Sequence, residues 1–142
     1  MDDHKAIEAL IEGQFEALSW DESQDGDWSG FAADFVEGAQ LFASARPAQS
    51  QSVGQFVERM QGLSKSSLPN LKERMLGRRI EVFGNVEVAI AVCELTENTE
   101  KVSFNIEAFL LIKEAGERRI ASQAWDTAKD ITAAQELWTN KV

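Results

Sequence analysis

The periodicity of this chain changes once, near residue 70, and that change limits what it can fold into. Before it, apolar residues recur at helical spacing. Ile7, Leu10, Ile11, Phe15 and Leu18 predict an amphipathic helix over about residues 4–19, with Asp2 or Asp3 able to cap its start. Trp28, Phe31 and Phe35 fall at i, i+3 and i+7 behind Asp27, and Gly38 ends that short second helix. Val53, Phe56, Val57 and Met60 share one face of a third helix over about 53–63, opened by a Ser52–Gln55 capping box. Residues 39–44 read as a short strand and 46–52, with Pro47 and several Gln and Ser, as a loop.

From Leu71 the pattern is that of strands, over 71–83, 86–96, 101–113 and 118–128. The separators are Gly84-Asn85, residues 97–100 and residues 114–117, and connections this short join antiparallel neighbours. A last short helix over about 131–138 would dock Ile131 and Trp138. The order predicts one α+β domain spanning 1–142: three N-terminal helices packed on a curved antiparallel sheet.

The third of these strands is apolar on both faces. Its even face is Val102, Phe104, Ile106, Ala108, Leu110 and Ile112, and its odd face includes Glu107, Phe109 and Leu111. Periodicity alone makes the even face the core. One face covers the helices and the other needs cover of its own, most simply a second copy of the chain, so a homodimer through the sheet is expected.

Charge removes several classes of partner. The 142 residues hold 24 acids and 14 Lys and Arg, a net charge of −10. Residues 1–38 carry eleven acids against one base, Lys5, and the remainder balances at thirteen each. No segment offers the cationic footprint that nucleic acid or an anionic membrane requires. The first residues lack a signal peptide's basic and apolar regions, and no apolar run could span a bilayer, so a cytoplasmic setting is expected.

Cys93 is the one cysteine, which excludes an intrachain disulfide and a thiolate metal site; it reads as a buried, inert thiol. His4 reads as surface. The run from Asp21 to Asp27 partly imitates a calcium loop, but its twelfth position, where a bidentate glutamate is needed, is Ala32. No metal and no cofactor is expected.

Three segments carry a resemblance. Residues 26–39 open with Gly26-Asp27-Trp28-Ser29-Gly30-Phe31; residues 81–89 form a hairpin about Gly84-Asn85; residues 109–120 lead on to Trp125-Asp126. Together these resemble the nuclear transport factor 2-like superfamily, which includes ketosteroid isomerases and SnoaL-like polyketide cyclases, over roughly residues 6–127. The resemblance implies a cone-shaped barrel in which a bent sheet wraps a long helix around an open apolar pocket, and dimerisation through the sheet. It also tests the isomerase machinery, which is an aspartate base with a tyrosine and a neutral carboxylic acid forming the oxyanion hole. The base position falls near Ala43, and the tyrosine position near Gln14 or Phe15 in a chain without tyrosine. The acid position alone is kept, at Glu107 within Ile106-Glu107-Ala108-Phe109.

Glu107 is therefore the candidate acid or base. In an apolar pocket beside Phe109 and Trp125, burial would raise its pKa. Gln123 and Trp125, which alternate with Ile120, Ser122 and Ala124, are implied to line the pocket, with Phe31 and Phe35 as further ligand contacts. Trp28, Phe31, Phe35, Phe56 and Met60 read first as core, although such side chains can also meet a ligand. Arg46, Arg74, Arg78 and Arg79 are the cations nearest the rim, and alternating charge on exposed strands accounts for them. The expected function is to bind a small apolar metabolite. Isomerisation, dehydration or cyclisation through Glu107 is the chemistry that the resemblance suggests; a non-catalytic dimeric association or scaffolding domain is the alternative.

Overall fold

A computed structural model describes residues 2–129 and 131–135. The elements are α1 (Asp3–Ala17), α2 (Trp28–Ala33), β1 (Phe35–Phe42), β2 (Ser50–Ser52), α3 (Val53–Ser64), β3 (Leu71–Phe83), β4 (Val86–Glu97), β5 (Lys101–Glu114) and β6 (Glu117–Thr127). A 3-10 turn follows at Ile131–Ala134. The expected docking of Trp138 lies outside the described residues.

Each helix starts where a side chain can satisfy its free backbone donors. The Asp2 carboxylate accepts from Lys5 N at 2.9 Å and Asp27 accepts from Gly30 N at 3.0 Å. Before α3, Ser52 Oγ accepts from Gln55 N at 3.1 Å while the Gln55 side chain accepts from Ser52 N at 2.9 Å. Ile7, Ile11 and Phe15 then form the buried stripe of α1. They meet Leu41, Ala91, Leu111 and Ile120 from the sheet, and this contact is the core.

The six strands lie in the order β2-β1-β6-β5-β4-β3. The meander from β3 to β6 is antiparallel, as expected, but β1 pairs with β6 in parallel, so the sheet is mixed. It bends around α1 into a cone without closing, because β2 and β3 are edges that do not pair with each other.

Three local expectations are corrected. Phe35 and Gly38 belong to β1, not to the end of a helix: α2 stops at Ala33, and Gly38, at φ +82, lies in the stretch where the β1–β6 register shifts. A left-handed residue inside a strand reads, in sequence, as a terminator. The loop over 46–52 ends in β2, which pairs with β1 through Gln40 and Ser52. On β6, Ile120 shares a face with Gln123 and Trp125, because a bulge opposite Leu110 and Leu111 flips the alternation.

The largest correction concerns β5. Its odd residues Glu107, Phe109 and Leu111 are buried, while Val102, Leu110 and Ile112 of the even face are exposed. The inner face of β4 likewise includes Glu87, and the outer face is Val86, Val88 and Ile90. Alternation sets the period of a strand but not which face turns inward. The inner face tolerates Glu87 because Arg118 grips it with two hydrogen bonds, at 2.6 and 2.7 Å.

Candidate functional site

The wide end of the cone is an open cavity of about 290 Å³. Phe31 reaches it from α2, Phe56, Arg59 and Met60 from α3, Ala43 from the residues after β1, and Trp125 from β6. Its aromatic wall is continuous. Phe31 stacks on Phe56 with centroids 5.4 Å apart, and Phe56 meets Trp125 edge-on at 5.5 Å.

The floor is polar, and strand register explains why. On β4, the inward residues Ala91, Cys93 and Leu95 face Glu107, Asn105 and Ser103 of β5. On the other side, Cys93 faces Met75 and Leu95 faces Glu73 of β3. The carboxyls of Glu73 and Glu107 thus approach from two strands over the small side chains of β4. Their oxygens and the Cys93 Sγ all lie within 4.8 Å of one another. Gln123 Nε2 donates to Glu107 Oε1 at 2.8 Å, and the Cys93 thiol makes a long contact to Glu73 Oε1 at 3.9 Å. Ser19 at the end of α1 locks this stretch of β3: its hydroxyl accepts from Glu73 N at 3.0 Å.

Burial dominates the electrostatics. Loss of hydration pushes Glu107 up to about 7, opposed by hydrogen bonds from Gln123 and Asn105. Glu73 rises well above the carboxylate range, first through desolvation and then through the neighbouring Glu107. Two carboxyls this close titrate as one coupled unit, and both are harder to ionise than a free carboxyl. The Cys93 thiol is pushed up by burial and by both carboxylates, which leaves it protonated and unreactive. Glu73, Cys93 and Glu107 are geometrically a three-donor set, although the lone cysteine alone had indicated no thiolate site. A metal ion there would first have to displace the thiol proton.

The expected site residues divide. Glu107, Gln123, Trp125 and Phe31 line the cavity. Phe35 and Phe109 do not: Phe35 packs behind Phe31 with centroids 5.1 Å apart, and Phe109 is buried in the core opposite Gln123 and Ala89. Phe56 and Met60, read first as core, are cavity wall. Ala43, where the resemblance puts the family's base, does line the cavity and brings no titratable group. Gln14 does not reach it; its amide donates to Phe31 O at 3.1 Å and to Asp34 at 2.7 Å, tying α1 to α2. Three of the cations named as rim candidates act elsewhere. Arg46 donates to the carbonyls of residues 43–45, Arg74 pairs with Glu94 at 2.8 Å, and Arg78 pairs with Glu8.

Glu73 is the functional candidate that the sequence reading missed. The available signal was its place between Leu71 and Met75, an acid in the inward register of a strand otherwise apolar at that end.

Searches with the sequence found no matching protein-family model and no matching curated protein. The fold, in contrast, matches many solved structures. A nuclear transport factor 2-like protein of unknown function from Pseudomonas putida superposes with a TM-score of 0.71 at 12% identity, covering 91% of this chain and 89% of that one. An uncharacterised protein with a cystatin-like fold from Caulobacter vibrioides gives 0.71 at 13%, covering 94% of each chain. A candidate scytalone dehydratase from Novosphingobium aromaticivorans gives 0.70 at 13%, covering 89% and 84%.

Proposed function

We propose that this chain, which has the nuclear transport factor 2-like fold, is a domain that binds a small, mostly apolar metabolite in the cone. The observation that carries the reading is the open cavity of about 290 Å³ with the Glu73 and Glu107 carboxyls at its floor. Were the cone filled by its own side chains, a purely associative role would be favoured. Here Phe109 stays in the core and Trp125 stands at the wall, which leaves the space empty. Cytoplasmic residence belongs to the same proposal.

The floor has the makings of acid–base chemistry. With Glu107 ionised and Glu73 protonated, Glu107 would take a proton from carbon while the Glu73 carboxylic acid donates a hydrogen bond to the developing enolate oxygen, as isomerisation, dehydration or aldol-type cyclisation would need. The candidate scytalone dehydratase among the fold neighbours adds weight to dehydration within that set. Gln123 would orient Glu107 through its 2.8 Å hydrogen bond.

A second reading has its own observation. Val86, Val88, Ile90, Leu110 and Ile112 form an exposed apolar surface on the outer face of β4 and β5, suited to a second copy of the chain. A homodimer is compatible with ligand binding, and alone it would make this an association domain.

The deciding experiment is a crystal structure of the protein as purified, followed by ligand binding or turnover by a Glu107→Gln variant. Density in the cone and a changed affinity or rate in a folded variant are expected. An empty cone and no effect on any ligand found would overturn the site.

A further inference from the structure

The cavity floor collects hydrogen-bond acceptors and lacks a donor of positive charge. Glu73 and Glu107 point their carboxyls into it from β3 and β5. Among the described residues no ion pair reaches either one. Arg118 is held by Glu87 and Asp3, Arg74 by Glu94, and Arg46 by backbone carbonyls. A third acceptor stands beside them. Gln123 is 7% exposed and lines the cavity, its amide nitrogen is taken by Glu107, and its Oε1 is buried without a partner. A buried oxygen left unpaired is costly; Gln14 Oε1 is another, away from the cavity, but Gln123 lines the open cavity, where a donor from outside can satisfy its oxygen.

The other polar groups facing this floor do not supply that donor. Cys93 on β4 offers only a weak S–H, already directed at Glu73 and at the Glu94 carbonyl. Asn105 on β5 bonds Glu107. At the lining's edges, Glu97 adds a further acid from β4, and Arg59 of α3 is exposed to solvent. Above the floor, Phe31, Phe56 and Trp125 present an aromatic wall.

We propose that the ligand is a primary amine: a compact apolar or aromatic body carrying one ammonium group, seated with its three N–H donors on the Glu73 carboxylate, the Glu107 carboxylate and Gln123 Oε1. An ammonium offers three donors and no acceptor, which matches two carboxyls without an ion-pair partner and one unpartnered amide oxygen, Gln123 Oε1. Its charge supplies the counter-ion that the two acids lack, and aromatic side chains in the wall are compatible with a cation. A neutral apolar ligand would leave Gln123 Oε1 without a partner and bring no counter-charge to the acids. The inference rests on the ligand-binding half of the function proposed above and not on its chemistry, since in this complex the acid pair anchors a charge. Because both acids are harder to ionise in the empty cavity, an ammonium seated on them favours their carboxylate forms, so binding releases protons and tightens as pH rises.

The test is calorimetric titration of the full chain with phenethylamine and with phenethyl alcohol, its near-isosteric neutral partner, in two buffers of different ionisation enthalpy at about pH 8. The amine should bind at least about tenfold tighter, with proton release. Glu73→Gln and Glu107→Gln should each remove most of that preference, read as the ratio of amine to alcohol affinity within each variant. Both substitutions keep size and hydrogen-bonding capacity and relieve a buried charge, so the fold is retained, which circular dichroism checks. Equal binding of amine and alcohol would overturn the amine assignment and leave the cavity as a ligand site. Binding of neither would overturn both. Tight binding of Zn²⁺ or Mn²⁺ with no preference for amine over alcohol would overturn the amine assignment in favour of a metal at Glu73, Cys93 and Glu107.

Discussion

The carboxyl oxygens of Glu73 and Glu107 lie within 4.8 Å of one another on the floor of a cavity, although the two residues are on strands that are not neighbours. Both acids are harder to ionise in the folded chain than in the unfolded one. The sign of the effect on stability follows. A raised carboxyl pKa means that the folded state keeps a proton which the unfolded state has lost. Stability from this source is therefore complete below about pH 4.5 and declines as pH rises through about 7. We predict that Glu107→Gln, measured by denaturant unfolding at several pH values between about 4 and 8, stabilises the protein progressively toward the alkaline end, by up to about 3 kcal/mol. A stability difference independent of pH would mean that Glu107 is not buried in an ionisable pair.

At the opposite end of the cone a second buried acid behaves differently, because it has a partner. Glu87 is 1% exposed and is gripped by Arg118, which also reaches Asp3 at 2.7 Å and so pins the start of α1 to the sheet. Removing one member leaves the other charge buried and unpaired. Glu87→Ala should cost about 3–5 kcal/mol in chemical denaturation. The double change Glu87→Met with Arg118→Met should recover most of that loss, because it removes both charges and keeps the volume. If the double variant is as unstable as the single one, the pair is not the source of the cost.

Why the sequence showed the fold more clearly than the site is visible in these acids. Element type depends on local spacing, so α1, α3 and the four long strands follow from the periods of their apolar residues. The direction a face turns is a tertiary choice. On β5 both faces are apolar, and the wholly apolar even face turned outward. Glu107 was placed at the site by resemblance; periodicity alone put it on the outside. Glu73 needed a partner strand to show its role, because its neighbour in the site is 34 positions away. The irregularities in β1 and β6 are likewise invisible to alternation: β6 carries an extra residue opposite Leu110 and Leu111, and β1 slips against β6 between Phe35 and Gln40.

Two glycines with equal room around them should respond in opposite ways to a methyl group. A Cβ added at Gly13 or at Gly38 would meet nothing within 4 Å, so only the backbone decides. Gly13 lies within α1, where alanine is favoured, and Gly13→Ala should stabilise by about 0.5–1 kcal/mol. Gly38 sits in β1 at φ +82, which L residues adopt with strain, and Gly38→Ala should destabilise by about 1–2 kcal/mol. Thermal melts of the two variants beside the parent check both signs. A neutral Gly38→Ala would argue that the β1 bulge relaxes without it.

The outer face of the sheet makes the last prediction. Val88 faces Leu110 across the β4–β5 pair, and Val86 faces Ile112. All four side chains are between 39% and 52% exposed, on the paired strands β4 and β5, where among the described residues no edge strand or helix covers them. The eleven acids of residues 1–38 lie largely on the helices and loops of the other side of the sheet and so do not oppose contact here. Two such faces packed together would remove a contiguous apolar surface from water, so the chain should be a dimer in solution, with twice its 15.8 kDa mass by sedimentation. Leu110→Lys places a charge at the centre of that surface without touching the core or the cavity. It should raise the dimer dissociation constant by at least about a hundredfold and leave the circular dichroism unchanged. A parent protein that sediments as a monomer at high micromolar concentration would refute the dimer and leave the apolar face to a different partner.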